Sequence, residues 1–243
     1  MNEDRYQRQR LVLEFGDTAQ DLIRTKHIVI IGGGGLGSHG AEIMVRMGVG
    51  SVTVIDDDVV HRSNLHRTAV FTEKDVGQPK SVVLQERLSL VNADGIIQGI
   101  VKKVTKENIS ELVQNANLIL DGTDDLETRF LINETALQKS IPWVYAGVYG
   151  TIGMILGIVP GKTPCFACMI QTVPEKKSIT PVLGNLPSVV ASIQCTEALK
   201  ILLGKPVGNL IMYDLWLHRF DLIPLKKTTT CPCCGNQSTL RKR

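Results

Sequence analysis

The sequence predicts a doubly wound, Rossmann-like α/β fold, with a mainly parallel sheet and an antiparallel extension toward the C-terminus. Three observations carry this prediction. Strand-like and helix-like segments alternate along the chain, the first strand-like run ends in a cluster of glycines, and 43% of the 243 residues are hydrophobic. A chain of this length and composition can bury a large core.

The first three elements form a predicted βαβ unit. Residues 27–31 are a β-branched run that is typical of a buried parallel strand. Residues 36–48 carry apolar side chains at helical spacing and end at Gly48, and residues 51–55 form a second strand. An Arg-rich arm and a short helix ending near Lys26 precede this unit.

The alternation continues through most of the remaining chain. We predict helices at 80–91, 106–114, 126–139 and 188–203, a weak strand at 96–100, and strands at 118–121, between 143 and 159, and at 210–214. Residues 161–187 are rich in proline and lysine and lack a clear period, which predicts a mobile crossover loop.

Charge and hydropathy exclude several classes of protein. The chain has 27 basic and 24 acidic residues, and a balance of +3 does not indicate a binder of nucleic acid. The apolar runs are too short to span a membrane, and the first ten residues lack the apolar core of a signal peptide. We therefore expect a cytoplasmic protein with neither nucleic-acid nor membrane partners.

The glycine cluster indicates a nucleotide site. Gly32, Gly34 and Gly37 satisfy the pattern GxGxxG directly after a strand and at the start of a helix. Asp56 follows at the end of the second strand, where a carboxylate can accept hydrogen bonds from ribose hydroxyls. The alternative is a glycine turn that only packs a helix on a strand.

Two cations and a group of acids favour ATP chemistry over hydride transfer. Arg67 follows the ribose-reading strand, and Lys80 stands at the start of a helix. Fixed cations suit a reaction in which negative charge grows on a triphosphate. The run at 121–125 contains aspartates at the carboxyl end of a strand, where they can hold Mg²⁺. Singly, each of these groups could instead be a capped turn or a solvated charge.

The cysteines predict a structural zinc site. Cys165 and Cys168 form one CxxC pair, and Cys231 and Cys234 form a second. Four thiolates suit tetrahedral Zn²⁺ and would tie the C-terminal tail to the domain. A redox CxxC, unligated cysteines, or Cys233 in place of Cys234 are the alternatives. Cys195 is expected to be a buried thiol.

In this order, the motifs resemble those of the MoeB/ThiF/HesA adenylyltransferases, the prokaryotic relatives of ubiquitin-activating enzymes. The matching landmarks are residues 5–9, 32–37, 56, 64–67, 77–80 and 121–125 and the two cysteine pairs. The resemblance implies an enzyme that uses ATP to adenylate the C-terminal glycine of a small β-grasp sulfur-carrier protein ending in Gly-Gly.

The resemblance also implies roles for individual residues. Gly34 and Gly35 would lie against the nucleotide, Asp56 would read the ribose, Ser63, Asn64, Arg67 and Lys80 would line the phosphates, and Asp124 would hold Mg²⁺ with Asp125 beside it. Arg8 would reach into the ATP site of a neighbouring subunit, which implies a homodimer. The structural zinc falls on the same two cysteine pairs.

The resemblance divides residues 1–243, as a single domain, into a nucleotide-binding half at 1–160, the crossover loop at 161–187, and a carrier-binding and zinc-tail part at 188–243. Some relatives form a thioester or persulfide on a cysteine of the crossover loop, but residues 174–181 contain none. The reaction is therefore expected to stop at the acyl-adenylate.

Two other functions and several details stay open. An NAD-dependent oxidoreductase could use the same glycine loop, and a non-catalytic scaffold could keep the fold. The sequence does not identify the carrier, its pathway or the sulfur donor. Trp216 and Phe220 could offer a face to the carrier, although such residues are more often core.

Overall fold

One sheet of eight strands forms the centre of the computed structural model, which describes residues 5–170 and 180–235. The strands are β1 (His27–Ile31), β2 (Ser51–Ile55), β3 (Ile96–Ile100), β4 (Leu118–Asp121), β5 (Trp143–Tyr149), β6 (Ile152–Ile158), β7 (Asn209–Asp214) and β8 (Arg219–Pro224). The helices are α1 (Gln7–Arg10), α2 (Gly16–Ile23), α3 (Gly35–Arg46), α4 (Lys80–Val91), α5 (Ile109–Leu112), α6 (Leu126–Lys139), α7 (Phe166–Met169) and α8 (Leu186–Leu202).

The strand order is β3-β2-β1-β4-β5-β6-β7-β8. The strands from β3 to β5 pair in parallel, whereas β5–β6, β6–β7 and β7–β8 pair antiparallel. The chain leaves β1 toward β2 and β3 and later returns to the other side of β1 as β4. This arrangement confirms the predicted fold class and creates a topological switch point between β1 and β4, where open α/β sheets bind ligands.

Alternating side chains of the central strands supply the two layers of the core. Ile28 and Ile30 of β1 face the layer that contains α3 and α8, and Val29 and Ile31 face the layer that contains α6. All four are buried almost completely, because helices cover both faces of the parallel strands. The continuous apolar run of β1 follows from this double burial.

The structure corrects three of the predicted elements. Helix α5 covers only Ile109–Leu112, where we predicted 106–114. The stretch predicted as a crossover loop contains the short helix α7 and the start of α8, and its residues 171–179 lie outside the described residues. Strand β8 was not predicted at all, and it pairs with β7 along its full length.

The expectation that Trp216 and Phe220 are core residues is wrong. Their exposed fractions are 72% and 51%. Both belong to the β7–β8 hairpin at the edge of the sheet, where no other strand of residues 5–170 and 180–235 pairs with β8. Within 5–170 and 180–235, the structure has no helix that is both long and apolar enough to cross a bilayer.

Candidate functional site

The turn after β1 brings backbone N–H groups to the carboxyl edge of the sheet. A Cβ atom on Gly37 would lie 1.7 Å from the carbonyl oxygen of Gly32, so only glycine fits there. A Cβ atom on Gly34 would meet no atom within 4 Å, so this side of the turn is open. Packing therefore explains why residue 37 must be glycine, but it does not explain the glycine at residue 34. The open side, at the N-terminus of α3, suits a phosphate group.

Asp56 ties the end of β2 to this turn. Its carboxylate accepts hydrogen bonds from the backbone N–H of Gly33 at 2.6 Å and from that of Asp58 at 2.7 Å. Burial raises the pKa of Asp56, because desolvation outweighs these two hydrogen bonds and the nearby Lys80 charge. The predicted ribose-reading acid is thus held in a fixed orientation beside the glycine turn.

Lys80 is the first residue of α4 and is buried, with a charged partner that the sequence did not identify. Its ammonium lies 2.5 Å from the Asp58 carboxylate, whose second oxygen lies 3.3 Å from Nε2 of His61. Burial alone would raise the pKa of Asp58, but hydrogen bonds from Lys80 and the Val59 N–H lower it below its ordinary value. Asp58 therefore stays an anion that pairs with Lys80.

Ser63 and Asn64 lie in a short 3₁₀ helix, Arg62–Asn64, and Arg67 follows it closely. Arg67 Nη1 donates to the Ser63 carbonyl at 2.6 Å, which orients the half-buried guanidinium. A Cβ atom on Gly35 would lie 3.3 Å from the carbonyl oxygen of Arg67. The predicted phosphate-lining segment therefore borders the glycine turn directly.

The loop after β4 contains one buried and one capping aspartate. Asp121 is fully buried and accepts hydrogen bonds from the Thr123 N–H at 2.9 Å and from Arg129 Nε at 2.9 Å. Asp125 is the N-cap of α6 and accepts from the Thr128 N–H at 2.8 Å. Asp125 thus caps a helix, which is one of the two roles that the sequence left open for these aspartates.

Asp124 differs from these two aspartates because its side chain is exposed. A carboxylate at the open edge of a parallel sheet fits Mg²⁺, which binds through one or two carboxylates together with substrate phosphates. The loop itself touches the glycine turn: a Cβ atom on Gly122 would lie 2.2 Å from the Gly32 oxygen. The loops after β1, β2 and β4 therefore meet at the switch point.

Arg8 lies away from this edge. Tyr6, just before α1, packs on Gly48 and accepts a hydrogen bond from Asn92 Nδ2 at 3.0 Å. Gly48 and Asn92 follow the last turns of α3 and α4, at the opposite, amino edge of the sheet. The structure therefore does not bring the exposed Arg8 to the other predicted site residues of its own chain.

The two cysteine pairs come together on the α6 side of the sheet. The sulfurs of Cys165 and Cys231 are 3.6 Å apart, those of Cys168 and Cys234 are 3.4 Å apart, and those of Cys165 and Cys168 are 4.0 Å apart. Tetrahedral zinc with Zn–S bonds of about 2.3 Å requires separations of about 3.8 Å. The donor set and its spacing therefore fit a zinc ion with no open coordination position.

All four cysteines of the cluster are buried, and burial raises the pKa of the Cys165 and Cys234 thiols. Burial would raise the pKa of Cys168, yet backbone hydrogen bonds from Thr228 and Cys165 lower it to about 7. Cys233 is also buried but does not belong to the four-sulfur cluster. Cys195 is fully buried beside the Gly40 carbonyl, where burial raises the pKa of its thiol, and it is the inert core residue that we expected.

Sequence reasoning missed three residues that shape the site. Asp58 pairs with Lys80, Arg129 holds Asp121, and Gln194 of α8 donates to the backbone oxygens of Asp121 and Val144 at 2.9 Å each. For Asp58, the repeat of an acid two residues after Asp56 was a usable signal. A glutamine in an apolar helix gave no such signal, because its partners are backbone atoms of distant strands.

An exposed apolar surface, which we term the β7–β8 surface, lies at the other end of the sheet. It comprises Trp216, Leu217, Phe220 and Leu222. A cavity of about 400 Å³ opens beside it, lined by apolar residues, among them Met212 and Leu217, and by the charged residues Asp214, Arg219 and Asp221. Exposed apolar side chains so close together are typical of an interaction site.

Comparisons with known proteins place this geometry in context. A model of the ThiF family matches residues 6–233. The sulfur carrier protein ThiS adenylyltransferase of Bacillus subtilis is 38% identical over 241 residues, which cover 96% of this chain and 72% of that protein. The sulfur carrier protein adenylyltransferase of Thermus thermophilus is 34% identical over 252 residues, covering 98% and 93%.

Solved structures share the fold. The crystal structure of Escherichia coli MccB with ATP superposes with a TM-score of 0.86 over 97% of this chain and 75% of that chain. The sequence identity is 24%, so this likeness concerns the fold.

Proposed function

The chain belongs to the ThiF family. We propose that it is an adenylyltransferase that uses ATP and Mg²⁺, and that it activates the C-terminal glycine of a small ubiquitin-like sulfur-carrier protein. One observation carries the proposal: the glycine turn, Asp56, Lys80, Arg67 and the exposed Asp124 meet at the switch point of the sheet. Two relatives, of whose lengths this chain covers 72% and 93%, are named as adenylyltransferases of sulfur carrier proteins.

The residue types suit this reaction. A C-terminal carboxylate has a pKa of about 3.5, so at neutral pH it attacks the α-phosphorus without a general base. Positioning and neutralisation of phosphate charge then limit the rate. Arg67 and Lys80 would supply positive charge, and Asp124 would hold Mg²⁺, which neutralises phosphate oxygens when bound. The products are an acyl-adenylate and pyrophosphate.

We propose the following nucleotide contacts. Phosphates would lie on the open side of the turn at Gly34 and Gly35, and Asp56 would accept hydrogen bonds from the ribose. Ser63 and Asn64 would line the phosphate path, and Asp125 would stay at the helix N-cap beside Asp124. The Asp58 carboxylate would keep the Lys80 ammonium in place while a phosphate approaches it.

The reaction is proposed to stop at the acyl-adenylate. All six cysteines fall within the described residues, and each is buried. Four of them form the zinc cluster, Cys233 adjoins it, and Cys195 lies in the core. A thioester step requires an accessible thiolate, so the sulfur would come from a separate donor.

We place the carrier and the second subunit on different surfaces. The β7–β8 surface is apolar and would accept the body of the carrier, whose thin Gly-Gly tail could then reach the nucleotide. Arg8 lies at the amino edge of its own sheet, so its implied contact with phosphate would have to be made in the partner of a homodimer.

Carrier-dependent exchange between ATP and pyrophosphate tests the proposal. The assay uses the full zinc-containing chain and a small ubiquitin-like protein that ends in Gly-Gly, with a carrier lacking the last glycine as the negative control. We expect Arg67→Ala and Asp124→Ala each to lower exchange at least about 100-fold, because each removes an electrostatic contact of the transition state.

The matched control is Arg46→Ala, which removes an exposed cation that pairs with Glu42 near the end of α3. This variant should keep the wild-type exchange rate. Wild-type rates in folded Arg67→Ala or Asp124→Ala would contradict their roles. A thermal shift with NAD(H) instead of ATP and Mg²⁺ would favour the oxidoreductase.

A further inference from the structure

A buried arginine holds the loop between β4 and α6 from the side opposite its open face. Arg129 Nε donates to Asp121 at 2.9 Å, and Nη2 donates to the carbonyl oxygens of Thr123 at 2.6 Å and Ala146 at 3.0 Å. The arginine side chain is 14% exposed and that of Asp121 is 0% exposed. One guanidinium therefore joins the first and third residues of the loop to β5.

The ring of Tyr145 lies against this guanidinium. The Arg129 Cζ atom lies 5.1 Å from the centre of the Tyr145 ring, within the range of a cation–π interaction. Tyr145 is itself buried in β5. Because the donors of the guanidinium lie in its plane, Arg129 can present its face to the ring while it donates to Asp121, Thr123 and Ala146, whereas the three donors of a lysine ammonium point in tetrahedral directions.

The arginine reaches Asp124 through the backbone, because the Thr123 carbonyl that accepts from Nη2 belongs to the peptide bond between Thr123 and Asp124. Burial lowers the pKa of Arg129, but the charge and hydrogen bond of Asp121 together with Tyr145 outweigh it, so the pKa is raised. The guanidinium therefore stays charged and holds the peptide bond that leads to Asp124, whose own side chain is exposed. Asp121 neutralises the Arg129 charge, so the pair does not repel a cation at the edge of the loop.

We propose that Arg129 is a positioning residue that fixes the 121–125 loop so that Asp124 presents its carboxylate to the divalent metal of the nucleotide. The inference rests on the proposed function, because it assumes that nucleotide and metal bind at this edge. It assigns to Arg129 a selective effect: loss of the arginine weakens metal binding while metal-free nucleotide binding, which uses the glycine turn and Asp56, stays intact.

The test measures metal affinity directly rather than activity. The probe is Mn²⁺, followed by electron paramagnetic resonance on the full chain with a non-hydrolysable ATP analogue. Arg129→Leu alone would leave Asp121 buried and unpaired and could unfold the protein. The main variant is therefore the double change Arg129→Leu with Asp121→Asn, which removes both charges together.

We expect the double variant to bind Mn²⁺ at least about tenfold more weakly in the presence of the analogue, as is typical when the support of a metal ligand is lost. Its affinity for the metal-free analogue should stay within about twofold of wild type. Arg129→Lys, which keeps the charge but not the planar group, should weaken Mn²⁺ binding by at least about threefold.

The matched control is the double change Lys200→Met with Glu197→Gln, which removes both charges of a comparable ion pair on α8. It should bind Mn²⁺ as wild type does. Wild-type Mn²⁺ affinity in the folded double variant, or in Arg129→Lys if the double variant does not fold, overturns the inference. If wild-type protein itself binds neither the analogue nor Mn²⁺, the proposed function fails and the inference fails with it.

Discussion

Two glycines of the turn after β1 differ in what a side chain would meet. A Cβ atom on Gly37 would lie 1.7 Å from the Gly32 oxygen, whereas one on Gly34 would meet nothing within 4 Å. We expect Gly37→Ala to destabilise the fold by more than about 4 kcal/mol, because the backbone must move. Gly34→Ala should change the free energy of unfolding by less than about 1 kcal/mol.

Gly34→Ala, which should barely change stability, should by contrast weaken nucleotide binding. Gly34→Ala places a methyl group in the space that we assign to phosphate, so its affinity for ATP should fall at least about tenfold while its thermal unfolding stays near wild type. Calorimetric titration with ATP measures the first quantity and thermal denaturation the second. An unchanged ATP affinity in Gly34→Ala would show that the phosphates lie elsewhere.

At this scale, the sequence predicts charged residues better than it predicts their partners. Asp56 and Lys80 could be found because each stands at a fixed place relative to a strand or a helix. Their partners, Gly33 for Asp56 and Asp58 for Lys80, depend on how separate loops approach one another. A pairing between loops leaves no periodic mark in the sequence, so an acid two residues after Asp56 can be noticed there but its pairing with Lys80 cannot be predicted.

The start of α6 depends on Asp125, so a change there should appear in stability as well as in activity. Asp125 accepts hydrogen bonds from Thr128 N and Oγ1 at 2.8 and 2.9 Å. Asp125→Ala should lower the free energy of unfolding by about 1 kcal/mol, the usual cost of losing an N-cap. Asp124→Ala is the matched control, because its exposed side chain does not cap the helix; equal destabilisation of both variants would contradict this division of roles.

The elements that sequence reasoning found are those with two independent signals. The strand β1 has a β-branched run and a glycine turn, and α3 and β2 follow it with a helical period and a second apolar run. The strand β8 has neither an apolar run nor a buried face. It is a strand because its backbone pairs with β7. The helix α7 is a single turn that begins after Cys165 and contains Cys168, and it is too short to show a period.

Removal of zinc should loosen the molecule as a whole. The cluster joins residues 165–168 to residues 231–234, and its cysteines pack with the α6 layer of the core. We expect metal analysis to find about one zinc per chain. Chelation should lower the free energy of unfolding by about 3 kcal/mol, which corresponds to a fall of about 6–12 °C in Tm. A metal-free protein with an unchanged Tm would contradict a structural zinc.

Subunit exchange tests the proposed sharing of Arg8. Arg8→Ala and Arg67→Ala homodimers should both be inactive in pyrophosphate exchange. A mixed dimer restores one complete site, since Arg8 then comes from one chain and Arg67 from the other. A one-to-one mixture should recover about a quarter of wild-type activity if subunits exchange freely. No recovery after verified exchange would show that Arg8 acts within its own chain or not at all.

The spacing of the two cysteine pairs also sets an order of events during synthesis. Cys165 and Cys231 are separated by 66 positions, and β7 and β8 lie between the two pairs. At about 5–20 residues per second, the second pair is made several seconds after the first. Until then the first pair offers only two thiolates, so a zinc ion held by all four cysteines would complete its coordination only after the whole sheet has been synthesised. A chain truncated before residue 231 would lack the second pair of thiolates and could not complete the site.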